Sequence, residues 1–144
     1  MFALAVVGCT TQYAYKFQVV DPGVVSGTRD VVEDDTIKAE LAVVDDAILL
    51  DLTNKTSDVL QVQWSQIAID RGDGTTTRLR PSVDLGWIQP GAKAAAQLVP
   101  FALPRTGVAA ARYQGRRLEL TVPVIARREA TTYRFHFVAN IRPL

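Results

Sequence analysis

The side chains in this 144-residue chain that could do covalent or acid–base chemistry are few and scattered. Cys9 is the only cysteine and His136 the only histidine, and more than a hundred residues separate them. A thiolate nucleophile needs a base within hydrogen-bond reach, and a zinc site needs several nitrogen or sulfur ligands at close spacing. The sequence offers neither, and a lone histidine in a terminal strand reads as a half-exposed sheet residue. Asp30, Glu33, Asp34 and Asp35 supply carboxylates, and Ca²⁺ takes about six to eight oxygen ligands. The spacing of a dedicated calcium loop is missing, so a solvated acidic loop is the expectation. No glycine-rich phosphate cradle and no serine in a nucleophile elbow occurs. The reading is therefore a non-enzymatic protein with no cofactor and no metal.

Two short motifs have turn explanations. Arg71-Gly72-Asp73 spells an integrin-binding tripeptide, but followed by Gly74 it also has the composition of a hairpin turn needing Gly and Asp at positive φ. Asn54-Lys55-Thr56 satisfies the N-glycosylation pattern, which carries weight only in a eukaryotic secretory setting.

Arginines and one tryptophan are the candidates for partner binding. Arg116-Arg117 and Arg127-Arg128 flank the apolar run Leu118–Ile125. They read either as gatekeepers against edge pairing or as contacts to phospholipid headgroups or an acidic partner. Trp87 sits in a stretch bounded by Pro81 and Pro90-Gly91, where it serves loop packing or recognition. The net charge of +1 hides an asymmetry: residues 1–70 carry four basic and eleven acidic side chains, and residues 71–144 carry twelve and four. Interleaved in one fold, the halves make a self-complementary surface; separated, they make a basic patch. No nucleic-acid-binding motif accompanies it, and no nucleic-acid partner is expected.

The elements that must position these residues are strands. Val and Ala dominate the apolar content, and Gly and Pro recur at short intervals. Tyr13, Tyr15, Phe17 and Val19 alternate with smaller or polar residues, giving a half-buried strand over 13–20, with Asp21-Pro22-Gly23 as its turn. Residues up to Asp35 read as an exposed connection. Ile37–Val43 and Ala47–Thr53 form a hairpin about Asp45-Asp46. Val59–Ile69 reads as one strand whose apolar phase changes near Ser65-Gln66, the mark of a bulge or a new strand. Short strands over Thr75–Leu79 and Lys93–Val99 follow. Phe101–Gly115 reads as irregular, and Arg117–Ile125 and Thr131–Asn140 complete the set. In the last, Tyr133, Phe135 and Phe137 face one side and Arg134 and His136 the other. Eight or nine strands without a helix predict an all-β antiparallel two-sheet sandwich, with a small barrel as the alternative.

Met1–Gly8 is apolar, and no charge occurs before Lys16. The segment is too short for a membrane-spanning helix, which needs about 20 apolar residues. Val6-Val7-Gly8-Cys9 resembles the lipobox of bacterial lipoproteins, in which a cysteine after a small residue is diacylated on sulfur and becomes the N-terminus. The charged start of a full signal peptide is missing, so the true start is expected upstream of Met1 or the chain as given is trimmed. Leu50-Asp51-Leu52-Thr53-Asn54-Lys55-Thr56, a strand carrying Gln63-Trp64, a Gly-centred turn and Pro90-Gly91 are similar to small Ig-like bacterial lipoproteins of unassigned function.

What the resemblance implies is residues 1–9 as residual signal peptide and lipobox, 10–35 as an N-terminal segment, and 36–144 as an Ig-like sandwich. It implies a membrane partner through lipid on Cys9, a protein partner in the envelope, and the periplasmic face of the outer membrane, since Thr10 is not the aspartate of an inner-membrane retention signal. The expected role is an interaction module or accessory subunit of a membrane assembly; the alternative is a periplasmic domain binding a small apolar or glycan ligand.

Overall fold

The computed structural model describes residues 11–19, 24–25, 30–44 and 47–144. Cys9 and the turns expected at Asp21-Pro22-Gly23 and Asp45-Asp46 lie outside the described residues. The strands are β1 (Tyr13–Val19), β2 (Val24–Val25), β3 (Asp30–Glu33), β4 (Ile37–Val44), β5 (Ala47–Asn54), β6 (Leu60–Val62), β7 (Ala68–Asp70), β8 (Thr76–Arg78), β9 (Arg80–Pro81), β10 (Lys93–Val99), β11 (Arg117–Ala126) and β12 (Glu129–Pro143). A 3₁₀ turn, Trp64–Gln66, separates β6 from β7, and a short helix α1, Gly107–Ala111, precedes β11.

The strands form two antiparallel sheets. One runs β1-β12-β11-β7-β8, with β6 also paired to β11; the other runs β2-β3-β4-β5-β10-β9. Both sheets have open edges, so the fold is a two-sheet sandwich and not a closed barrel.

Alternation fixes the faces. Ile48, Leu50 and Leu52 of β5 meet Leu118, Leu120, Val122 and Val124 of β11 and Phe135 and Phe137 of β12 in one core, each side chain buried. Burying each such side chain is worth about 1.5–3 kcal/mol. Tyr15 and Phe17 pack against this core while Lys16 is exposed, the half-buried alternation expected of the first strand. In β12, Phe135 and Phe137 are buried and Arg134 is exposed.

The phase change near Ser65-Gln66 has a structural cause. The Pro123 carbonyl of β11 accepts the Gln63 amide at 2.9 Å, so Pro123 presents its ring nitrogen to the same side. That nitrogen has no hydrogen to donate. The neighbouring chain therefore leaves the ladder as a 3₁₀ turn, and β6 and β7 pair with β11 on either side of the gap.

Three features depart from the sequence reading. Two six-stranded sheets hold more strands than eight or nine, because several are only two or three residues long. Asp30–Glu33 is a strand paired with β4 and not a connection. Gly107–Ala111 is helical: Gly107 takes φ +67°, and the alanines after it are the best helix formers.

Candidate functional site

The arginine pairs chosen from the sequence lie at opposite ends of β11. Ten residues of strand put about 30 Å between them, so they do not make one patch. Nor are they gatekeepers of an edge, because β11 is paired on both sides.

Arg116 is absorbed by its neighbours. Its guanidinium lies 4.5 Å from the centre of the Tyr113 ring, and its Nη1 is 3.9 Å from Asp73 Oδ2. The Tyr113 hydroxyl donates to the same Oδ2 at 3.1 Å. Asp73 Oδ1 accepts from the hydroxyl and the amide of Thr75. These bonds, those of Thr75 foremost, hold the Asp73 carboxyl down at about 2. Gly72 has φ +78°, and a Cβ there would lie 2.6 Å from the Arg117 carbonyl oxygen. The tripeptide Arg71-Gly72-Asp73 is thus spent on its own turn, and its aspartate faces inward to Tyr113 and Arg116. Arg117 is exposed.

At the other end, Arg127 and Arg128 form the two-residue turn between β11 and β12 with φ +53° and +65°. Side chains with a Cβ lose roughly 1 kcal/mol or more each in this region. Arg127 Nε lies 3.1 Å from Asp58 Oδ2, an ion pair 58% exposed on both sides that contributes less than about 1 kcal/mol. Arg128 is exposed.

Trp87 belongs to this second end. Ile88 and Leu60 exchange backbone hydrogen bonds of 2.8 and 2.9 Å, and Leu60 pairs with Ala126, the residue before Arg127. Ile88 is buried, while Trp87 is 64% exposed and Val83 on the same loop 62%. The loop is tied down from below. Trp64 Nε1 donates to the Gly86 carbonyl at 3.3 Å. The fully buried Asn54 donates Nδ2 to the carbonyls of Ile88 at 2.9 Å and Asp58 at 2.7 Å. Its Oδ1 accepts the amide and hydroxyl of Thr56 at 2.9 and 2.7 Å. The Asn54-Lys55-Thr56 pattern is therefore a structural knot whose amide nitrogen is unavailable to glycan.

A groove of about 190 Å³ opens between β1, the end of β4 and the segment after β10. Tyr15, Phe17, Val43, Phe101 and Leu103 line it, with Arg105 at its wall. Phe17 lies 5.7 Å from both Tyr15 and Phe101, ring centre to ring centre, and the Tyr15 hydroxyl donates to the Pro104 carbonyl. The sequence did not reveal this groove, because its walls come from segments up to 90 residues apart.

The remaining candidates serve the sheets. His136 Nε2 donates to Glu119 Oε2 at 2.8 Å across the β11–β12 ladder, where Arg134 also approaches Glu119 at 3.5 Å. Of the acidic cluster, Glu33 pairs with Lys55 at 2.8 Å. Asp34 Oδ1 accepts the amides of Thr36 and Ile37, both at 2.8 Å, and its Oδ2 accepts the Tyr133 hydroxyl at 2.8 Å. Among the described residues, no three His, Cys, Asp or Glu side chains gather around a common point. Compared with known proteins, the chain matches no family model, no curated protein and no solved structure.

Proposed function

We propose that the chain is a non-enzymatic bacterial envelope lipoprotein, anchored through Cys9, whose sandwich presents the Trp87 loop to a protein partner. The observation that carries this reading is the polarity of the molecule. The Thr11 carbonyl accepts the Gly107 amide at 3.1 Å and the Gln12 carbonyl accepts the Leu144 amide at 2.9 Å, so the residues next to Cys9 are held at the end where β11 begins. Trp87, Arg127 and Arg128 stand at the end where it finishes, about 30 Å away. A tether at one end and a rigid aromatic at the other is the geometry of an accessory subunit, since exposed aromatics in ordered loops are the usual anchors of protein interfaces.

Mass spectrometry of the membrane-extracted protein tests the tether. The expected product begins at Cys9 and carries a diacylglyceryl mass that Cys9→Ala abolishes; an unmodified, uncleaved start removes the reading. For the loop, Trp87→Ala is expected to weaken the partner complex by about 2 kcal/mol, roughly thirty-fold, with the thermal midpoint unchanged. An unchanged complex assigns the interface elsewhere.

The groove favours a second reading, a domain that takes a small apolar ligand against Phe17 and Phe101. Saturable binding of anilinonaphthalene sulfonate that Val43→Phe removes supports it, and binding unaffected by that substitution counts against it.

A further inference from the structure

We propose that the outer edge of β1 pairs antiparallel with the same edge of a second copy, joining two sandwiches into a dimer about a two-fold axis at Phe17. The inference is independent of the tether and of the Trp87 loop.

Hydrogen-bond direction identifies the free edge. The Gln12 carbonyl accepts the Leu144 amide, which follows β12, so Gln12 faces β12. The Tyr13 amide donates the other way, to the Arg105 carbonyl at 2.8 Å, and the Thr11 carbonyl accepts the Gly107 amide on that same outer side. Backbone groups alternate in direction along a strand. Ala14, Lys16 and Gln18 therefore bond to β12, where they stand opposite Arg142, Asn140 and Val138. Tyr15, Phe17 and Val19 turn their amides and carbonyls outward. The segment leading into α1 covers this edge only as far as Tyr13, and among the described residues no backbone group meets the outward amides of Tyr15 and Phe17.

An edge left in this state departs from how sheets end. An unpaired ladder recruits another strand, so native edges are blunted by shortness, proline or charge. The other three edge strands conform: β2, β8 and β9 run two or three residues, and β9 ends in Pro81. In contrast, β1 runs seven residues without a proline, and its Tyr15 and Phe17 pack on the core side. A long aromatic edge that the chain itself leaves open fits a strand paired in an assembly.

Register selects a second copy as the occupant. With the axis at Phe17, Phe17 faces Phe17 of the second copy and Tyr15 faces Val19. Every outward residue of the stretch then meets another outward residue and exchanges two hydrogen bonds with it. Between them, Lys16 stands opposite Gln18; Lys16 is the only charged residue of β1, so the pairing opposes no like charges. The two Phe17 rings come side by side on the core side, where the groove leaves apolar room against Phe101 and Leu103. Both edges are consumed in the pairing, so association closes at two copies.

The test is sedimentation equilibrium of the full chain with Cys9→Ala, in which neither an anchor nor a disulfide can bring two copies together. A monomer–dimer equilibrium is expected. Gln18→Lys sets a positive charge opposite Lys16 at two symmetric places and is expected to weaken the dimer about fivefold. Gln18→Glu sets a carboxylate there and is expected to tighten it about fivefold, and salt shrinks both shifts. Thr76→Lys, exposed on the β8 edge across the sheet, is expected to change nothing. Hydrogen exchange adds a second readout: the Tyr15 and Phe17 amides slow only where the dimer is populated, while the Lys16 amide, bonded to β12, is slow throughout. A chain that sediments as a monomer at every concentration overturns the proposal. So does a dimer that is indifferent to position 18, moved the same way by both variants, disrupted by Thr76→Lys, or still fast-exchanging at Tyr15 and Phe17.

Discussion

Asn54 has no exposed surface, yet its side chain brings two donors and two acceptor lone pairs into the core, and the fold answers each of them. A buried amide costs little when fully paired and a great deal when its partners are orphaned. Asn54→Ala removes four hydrogen bonds at once: the Ile88 carbonyl keeps the Leu60 amide and the Asp58 carbonyl keeps the Thr56 hydroxyl, but the Thr56 amide loses its acceptor and the carboxamide's place in the core is left empty. It is expected to lower stability by about 3 kcal/mol, read as a drop in the urea midpoint at constant slope. A change below about 1 kcal/mol would show that the knot is dispensable. At this scale the sequence was partly legible. The polar run Asn54–Asp58 and the Gly72–Gly74 turn announced themselves by composition, and their residues do what turn chemistry asks. The roles of Asn54 as a tie to Ile88 and of Asp73 as a tie to Tyr113 were not legible, since those partners lie 34 and 40 residues away.

Between elements, the contact that joins the two sheets at their β12 side is the Tyr133–Asp34 hydrogen bond, from β12 to the turn between β3 and β4. Burial, and then the hydrogen bond to Asp34, pushes the Tyr133 hydroxyl far above the ordinary tyrosine value. Partial burial works to raise the Asp34 carboxyl, but the Ile37 amide, the Tyr133 hydroxyl and the Thr36 amide outweigh it and hold the group below the usual carboxylate range. The signs follow from linkage. The raised tyrosine contributes stability that is complete below its unfolded value near 10 and is lost as pH climbs beyond it. The lowered aspartate contributes stability that is complete above its unfolded value near 4 and is lost as pH falls below it. Tyr15 and Tyr113 are also raised, chiefly by burial, so the alkaline loss is shared; Tyr133 is shifted furthest. Tyr133→Phe is expected to cost about 0.5–1 kcal/mol at neutral pH and to shrink the loss of stability above pH ~10. An unaltered alkaline limb would mean that the other tyrosines carry it. Most of the strands behind this contact could be read from period-two alternation. The 3₁₀ break at Trp64–Gln66 showed as a phase change, but its cause, Pro123, sits on a strand nearly 60 residues later. The helix Gly107–Ala111 escaped notice because five residues carry too little periodicity to register.

Over the whole molecule, what the sequence presented as scattered arginines and a lone tryptophan becomes an axis, since β11 carries the Thr11 end to the Trp87 end. The axis makes the proposed tether at one end and the proposed partner loop at the other mutually checkable. If the Thr11 end lies on the bilayer, Trp87 stands about 30 Å out in water and its 64% exposure is unaffected by membrane attachment. Trp64→Phe leaves Trp87 as the sole tryptophan, exchanging a half-buried side chain for a smaller aromatic at the loss of one long hydrogen bond to Gly86. In that variant, acrylamide is expected to quench Trp87 equally well in the free protein and on anionic vesicles, with no blue shift of emission. Protection from the quencher together with a blue shift would place the Trp87 loop in the headgroups. The loop would then be a membrane wedge and not a partner-facing anchor, with Arg127 and Arg128 beside it as the headgroup ligands. One fluorescence measurement therefore decides which end of β11 faces the lipid.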